Sequence, residues 1–231
     1  MTVHRYTPDR YQTTFGSHEP VLRIVPGDTV VTTTVDARGV DFEGREVAER
    51  PNPQTGPFYI EGAEPGDTLV VRFDRLTTNR ATGWTSTRLA SNVVDPDFVP
   101  ELAAEPIIQW AIDAEGGTVR PAEPMKGLES LSLPLDPMLG SFGVAARGRQ
   151  AISTFTSAEH GGNMDYRGFR QGVVAYLPVF EPGALFHLGD GHAVQGDGEI
   201  SGTGVETSLG VEFTVDLRKG WEIGWPRGED D

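Results

Sequence analysis

The chain contains no cysteine. That absence excludes disulfides, thiolate metal ligands and cysteine nucleophiles together, so any metal must be held by histidine and carboxylate side chains. Positive charge is scarce: 19 Lys and Arg stand against 34 Asp and Glu, a net charge of -15. A surface of that sign favours solubility and repels nucleic acid and anionic membranes. It also disfavours anionic substrates unless a metal cation reverses the local field. No apolar run approaches the ~18 residues of a membrane span. The opening Met1-Thr-Val-His-Arg-Tyr6 has no apolar signal core, so a cytoplasmic protein is expected. Neither a Gly-x-Ser-x-Gly elbow nor a Gly-x-x-x-x-Gly-Lys phosphate loop occurs.

What is abundant is the pair of backbone breakers, with 29 glycines and 17 prolines in 231 residues. Apolar runs still recur along the whole length, which speaks against disorder. Many short strands joined by turns satisfy both observations, and the expectation is a mainly β protein with few short helices. Residues 21–35 read as two strands about a Pro-Gly-Asp turn at 26–28, and residues 57–73 repeat the plan about 65–67. A third variant, Glu181-Pro-Gly183, follows later. Proline presets φ for such a turn and glycine takes the conformation after it. Residues 209–217 alternate, with Leu209, Val211, Phe213, Val215 and Leu217 on one face. Residues 171–180 read as a continuously buried central strand. The stretch 78–140 is less patterned: a short helix is expected around Glu101–Ala104, an extended piece over 107–112, and a proline-rich loop from Pro121 to Pro137. The chain is therefore read as a single unit, residues 1–231, with two β subregions divided near 78–140.

Chemistry concentrates in residues 185–207, Leu-Phe-His-Leu-Gly-Asp-Gly-His-Ala-Val-Gln-Gly-Asp-Gly-Glu-Ile-Ser-Gly-Thr-Gly-Val-Glu-Thr. Histidines and carboxylates are interleaved with glycines that let the backbone turn sharply and bring side chains to one point. Asp190 and His192 are two apart, which on a strand puts both on one face. Asp197 and Glu199 repeat the spacing, and Asp165, framed by Gly161, Gly162 and Asn163, offers a further carboxylate. Oxygen and imidazole donors suit a hard or borderline divalent cation, zinc first and calcium second. With such an ion in place, Glu199 is the general base expected for attack of water on a carbonyl. The plainer readings stand beside these. His187 reads equally as a structural histidine, Asp165 as an Asx turn, and Asp197 as a turn residue. Asp28 and Asp67 are most simply turn residues, and His18 with Glu19 a supporting or a surface pair.

Three stretches resemble the acetamidase/formamidase family of metal-dependent amidohydrolases: Gly56-Pro-Phe-Tyr-Ile-Glu-Gly-Ala-Glu-Pro-Gly-Asp-Thr-Leu69, His160-Gly-Gly-Asn-Met-Asp165, and the run from Gly189-Asp-Gly-His192 through Gln195-Gly-Asp-Gly-Glu199 to Glu206. Weaker likenesses lie at Glu19-Pro-Val-Leu22 with Pro26-Gly-Asp28, at Asp36-Ala37 and at Leu139-Gly-Ser-Phe-Gly-Val144. The resemblance implies hydrolysis of a short-chain amide to a carboxylic acid and ammonia. It also implies a jelly-roll-like β-sandwich, a bound divalent metal and a homo-oligomer. Carried over by position, Asp165, Asp190, His192 and Glu199 become the site residues, with Asp36 and Glu61 as second choices. The motifs do not divide the roles, and side-chain chemistry makes Asp165, Asp190 and His192 the metal ligands and Glu199, Asp36 and Glu61 the catalytic candidates. Two departures stand out: the chain is compact for the family, and its N-terminal stretch Phe15-Gly-Ser-His-Glu19 carries one histidine. The competing reading is a calcium-stabilised jelly-roll binding module without catalysis. Its all-oxygen shell is at odds with the two histidines.

Overall fold

The computed structural model describes residues 1–86, 89–102 and 107–230. Two six-stranded sheets face each other. The first runs in the order Val3–Arg5, Thr29–Thr33, Leu209–Arg218, Thr68–Thr78, Val174–Pro178, Arg227–Glu229. The second runs Ser157–Ala158, Gly161–Asn163, Met138–Gly143, Phe186–His192, Gln54–Ile60, Leu22–Ile24. Most neighbours are antiparallel, and each sheet also has a parallel pair at one edge, Val3–Arg5 with Thr29–Thr33 and Leu22–Ile24 with Gln54–Ile60.

The period-2 pattern explains the core between them. Leu209, Val211, Phe213 and Val215 are buried while Glu212, Thr214 and Asp216 turn outward, as the alternation predicts. Aromatic rings then lock the sheets together edge to face: Phe58 on Phe213 at 5.3 Å, Phe186 on Phe213 at 5.3 Å and Phe73 on Phe142 at 5.0 Å. Burying each such ring contributes about 2–3 kcal/mol, and edge-to-face packing adds about 0.5–1.5 kcal/mol a pair.

The Pro-Gly turns do one shared job, which is to carry the chain between sheets. The turn at 26–28 leads from Leu22–Ile24 to Thr29–Thr33, that at 65–67 from Gln54–Ile60 to Thr68–Thr78, and Glu181-Pro-Gly183 from Val174–Pro178 to Phe186–His192. Gly27 and Gly66 have φ of 91° and 92°, open only to glycine at low cost. In both Pro-Gly-Asp turns the aspartate reaches back three residues: Asp28 accepts from the Val25 N–H, and Asp67 from the Glu64 N–H. Asp67 also accepts from the Gly220 N–H and the Lys219 ammonium, so it ties a sheet crossing to the segment after Leu209–Arg218. Burial pushes the Asp67 carboxyl up, but these donors outweigh it and hold it below the usual carboxylate range. A depressed pKa contributes stability above the ordinary carboxyl range, which is lost as pH falls through the folded value. Asp67→Ala is expected to cost about 2–3 kcal/mol at neutral pH. Thermal unfolding should show that penalty shrinking as pH falls below the ordinary carboxyl range and through the lowered folded value.

The stretch 78–140 is better ordered than its composition suggests. Thr82–Ser86, Ile107–Asp113, Thr118–Pro121 and Leu133–Pro134 form a four-stranded antiparallel sheet. It has its own apolar cluster of Trp110, Ile112, Val119, Ala193 and Val205. The extended piece at 107–112 is therefore a strand. The helical element near Glu101 is a 3-10 turn, Pro96–Glu101, and residues 103 and 104 lie outside the described residues. The strand read over 171–180 also differs from expectation. Val174–Pro178 buries Ala175 and Leu177 but leaves Val174 and Tyr176 half-buried, because only one face meets the opposite sheet.

Candidate functional site

The site is built where three strands meet. Met138–Gly143 pairs on one side with Phe186–His192 (Met138 opposite His192, Leu139 opposite Gly191) and on the other with Gly161–Asn163 (Ser141 opposite Asn163). Asp190 and His192 therefore approach from one neighbour and Asp165 from just beyond the other, and they converge over Gly140. A Cβ at Gly140 would lie 2.5 Å from Asp165 Oδ1, 2.6 Å from Asp190 Oδ2 and 3.1 Å from His192 Cε1. A further member, Glu206, arrives through backbone bridges that pair it with both His192 and Trp84. Asp165, Asp190 and Glu199 have φ of 45°, 58° and 43°, sparsely populated for non-glycine residues and typical of strain held at functional sites.

His192 is the hub. Its Nε2 lies 2.9 Å from Glu206 Oε1, 3.5 Å from Asp190 Oδ1 and 3.7 Å from Glu199 Oε1. These are close approaches without hydrogen-bond alignment, since Nε2 has no hydrogen-bond partner. The other ring nitrogen is fixed: Gln195 donates its amide N–H to the Asp165 carbonyl at 2.6 Å, so its Oε1 faces His192 Nδ1 at 2.8 Å and accepts. With Nδ1 carrying the hydrogen, neutral His192 presents a bare lone pair at Nε2. Asp165 is oriented in the same way. Its Oδ2 accepts from Asn163 at 2.5 Å, and Asn163 accepts from Asn52 at 2.7 Å. Asp165 Oδ1 is left buried and unbonded, as is Glu206 Oε2.

Such a cluster is electrostatically costly as it stands. Burial, with the charges of Asp190 and Glu199, pushes the Asp165 carboxyl up to about 9. Burial and Asp190 push Glu206 up to about 8 against the pull of His192. Glu199 is raised too, chiefly by burial. Burial disfavours charge on His192, but Glu206 and Asp190 outweigh it and raise the imidazole well above its usual value. Crowded carboxylates around one imidazole, several of their buried atoms without a hydrogen-bond partner, fit a divalent cation. Two overlapping groups have ligand atoms close enough to share an ion: Asp165, Asp190 and His192, and His192, Glu199 and Glu206.

Asp190, Glu199 and Glu206 open onto a cavity of about 510 Å³. Arg38, Arg50, Asn52, Trp84 and Phe155 line the same cavity.

The sequence profile of the Acetamidase/Formamidase family matches residues 132–224, which hold all five clustered side chains. A solved acetamidase from Yersinia enterocolitica is 32% identical with a TM-score of 0.83, over 99% of this chain and 72% of that one. The acetamidase structure from Bacillus halodurans is 30% identical with a TM-score of 0.81, over 98% of this chain and 75% of that one. The chain belongs to the acetamidase/formamidase family. The chain spans well under two thirds of a curated relative's length: against the acetamidase of Mycolicibacterium smegmatis it is 29% identical over 186 residues, which cover 78% of this chain and 37% of that protein.

Within this family member, the structure brings Asp165, Asp190, His192 and Glu199 together and leaves Asp36 and Glu61 outside. Both oxygens of buried Asp36 are occupied. One accepts from the Arg38 and Val40 N–H groups, the other from Arg80 at 2.7 Å and Trp84 Nε1 at 3.1 Å. Asp36 is thus a brace behind the cavity wall. Glu61 sits in the turn after Gln54–Ile60, half in solvent, paired with Arg23 at 3.1 Å. The Asp197–Glu199 pairing expected on a strand is instead a 3-10 turn. Gly198 at φ 74° sends Asp197 out to Arg167 while Glu199 turns in.

His187 points away from the cluster, into a pocket with Phe15, His18 and His160. Burial and the nearby histidines push it down to about 3, so it is neutral. Glu206 and Gln195 are the members that sequence reasoning missed. Both lie inside the run quoted for the resemblance, and that run was the available signal.

Proposed function

We propose that this chain hydrolyses short-chain amides at a divalent metal held by Asp165, Asp190, His192 and Glu206, releasing a carboxylic acid and ammonia. The observation that carries the reading is the set of buried, unbonded donor atoms, Asp165 Oδ1, His192 Nε2 and Glu206 Oε2, gathered in one cluster beside the cavity. A bound cation would polarise the amide carbonyl and make water a competent nucleophile near neutral pH. Glu199, whose side chain is 13% exposed and lines the cavity, is the base. It takes the proton as the water oxygen bonds to the carbonyl carbon, then returns it to the nitrogen as the C–N bond breaks. Asn163 and Gln195 hold Asp165 and His192 in register. The mixed nitrogen and oxygen donor set favours zinc, and the imidazole nitrogen counts against the calcium-ordered binding module. Assembly as a homo-oligomer and a cytoplasmic location belong to the same proposal.

The test is ammonia release from formamide, acetamide, propionamide and larger amides, with Glu199→Gln beside the wild type. Expected is turnover of at least one amide, reduced more than about a hundredfold in Glu199→Gln while the metal is retained. Turnover unchanged in that variant removes Glu199 as the base. No turnover of any amide by folded, metal-loaded protein removes the amidase reading.

A further inference from the structure

The cavity is far larger than formamide or acetamide requires. About 510 Å³ falls in the range that encloses drug-sized ligands. Its lining carries cationic side chains as well as acidic ones. The Arg38 guanidinium stacks 3.9 Å over the Trp84 ring. That ring is itself immobilised: Trp84 Nε1 donates to Asp36, and the Trp84 backbone exchanges both hydrogen bonds with Glu206, at 3.1 and 2.9 Å. A cation is thereby mounted on a rigid platform whose strand is paired directly to the acidic cluster. Among the described residues no carboxylate is ion-paired with half-buried Arg38. Arg50, also in the lining, is 56% exposed and reaches Glu46 at 3.9 Å.

Resting on the amidase reading above, we propose that Arg38 is a specificity-determining residue and that the preferred substrates are amides bearing a carboxylate at the far end, such as the monoamide of a short dicarboxylic acid. The amide end sits at the acidic cluster and the carboxylate meets the planar guanidinium, whose paired N–H groups match its geometry. Trp84 keeps that guanidinium in place, so little side-chain freedom is lost on binding. The net charge of -15 disfavours an anionic substrate in general, but distant surface charges are screened beyond about 10 Å at moderate salt, and within the cavity the Arg38 guanidinium supplies the local positive field. A purely structural Arg38, present to offset neighbouring acids, would affect charged and neutral amides alike.

The experiment compares kcat/KM for succinamate and for butyramide, its uncharged counterpart of equal chain length, in wild type, Arg38→Met and Arg38→Lys. Thermal melts establish that each variant is folded. The wild type should prefer succinamate by at least about tenfold. Arg38→Met should lose about 10- to 100-fold on succinamate, mainly through KM, with butyramide changed by less than about threefold. Arg38→Lys should recover part of the loss. Turnover of neutral amides with no preference for succinamate overturns this proposal and leaves the amidase reading intact, as do equal losses on both substrates. No turnover of any amide, acetamide included, overturns both.

Discussion

Replacing His192 with alanine should abolish amide hydrolysis and strip the metal from a protein that still folds. Outer-shell partners of a metal ligand already cost about 10–100-fold in affinity or activity when lost, and His192 is the inner group. It is the residue that both candidate ligand groups share. Removing the imidazole also leaves Glu206, Asp190 and Glu199 without the positive partner that offsets their mutual repulsion. The loss in kcat/KM should exceed about a hundredfold. The fold should survive because the sandwich core lies in a separate cluster of buried residues, centred on rings such as Phe58, Phe142 and Phe213. Gln195→Leu tests the same design one step out. With the His192 Nδ1 partner gone, metal affinity should fall about 10–100-fold, a smaller loss than for the ligand itself. Circular dichroism, metal content and turnover measured on the same preparations separate these outcomes. Wild-type turnover in His192→Ala would contradict the site.

The second large effect comes from one methyl group. Gly140 carries no side chain where Asp165, Asp190 and His192 converge, and its φ is not in the left-handed region, so Gly140→Ala changes space and nothing else. The new Cβ would stand 2.5 Å from Asp165 Oδ1 and 2.6 Å from Asp190 Oδ2. Those carboxylates cannot give way freely, since Asp165 is pinned through Asn163 and its own N–H donates to the Gly140 carbonyl. Overpacking of this kind costs about 1–3 kcal/mol. The larger consequence is for function: splaying two ligands by a few tenths of an ångström should reduce metal affinity and turnover by more than about a hundredfold. A Gly140→Ala protein with normal metal binding would mean that the two carboxylates do not share an ion.

Much of this arrangement was legible in the chain, for physical reasons that can be named. Leu209–Arg218 alternates because one face meets a sheet and the other meets solvent, and that periodicity survives in sequence. The Pro-Gly-Asp turns were visible because proline and glycine fix their geometry. Their function as crossings between sheets was not, since a turn looks the same whether it closes a hairpin or changes sheet. In the site, Asp190, His192 and Glu199 stood out against glycine, and Asp165 through its Gly-Gly-Asn frame. Glu206 did not: Val205-Glu206-Thr207 reads as ordinary extended chain, and only its bridges to His192 and Trp84 carry it inward. Asp36 was misread for a converse reason. A carboxylate at a strand end is suited to catalysis or to bracing a loop, and Arg80, 44 residues later in the chain, decides between them.

The central claim is that these five residues form a metal centre on which amide hydrolysis depends. The measurement that tests it most directly follows ammonia release from the best amide while zinc is titrated into chelator-treated protein. Bound metal is quantified at each point, with His192→Ala run in parallel. Turnover should vanish on chelation, return in proportion to metal bound, and fail to return in the variant. Full turnover by the metal-free wild type would contradict the account.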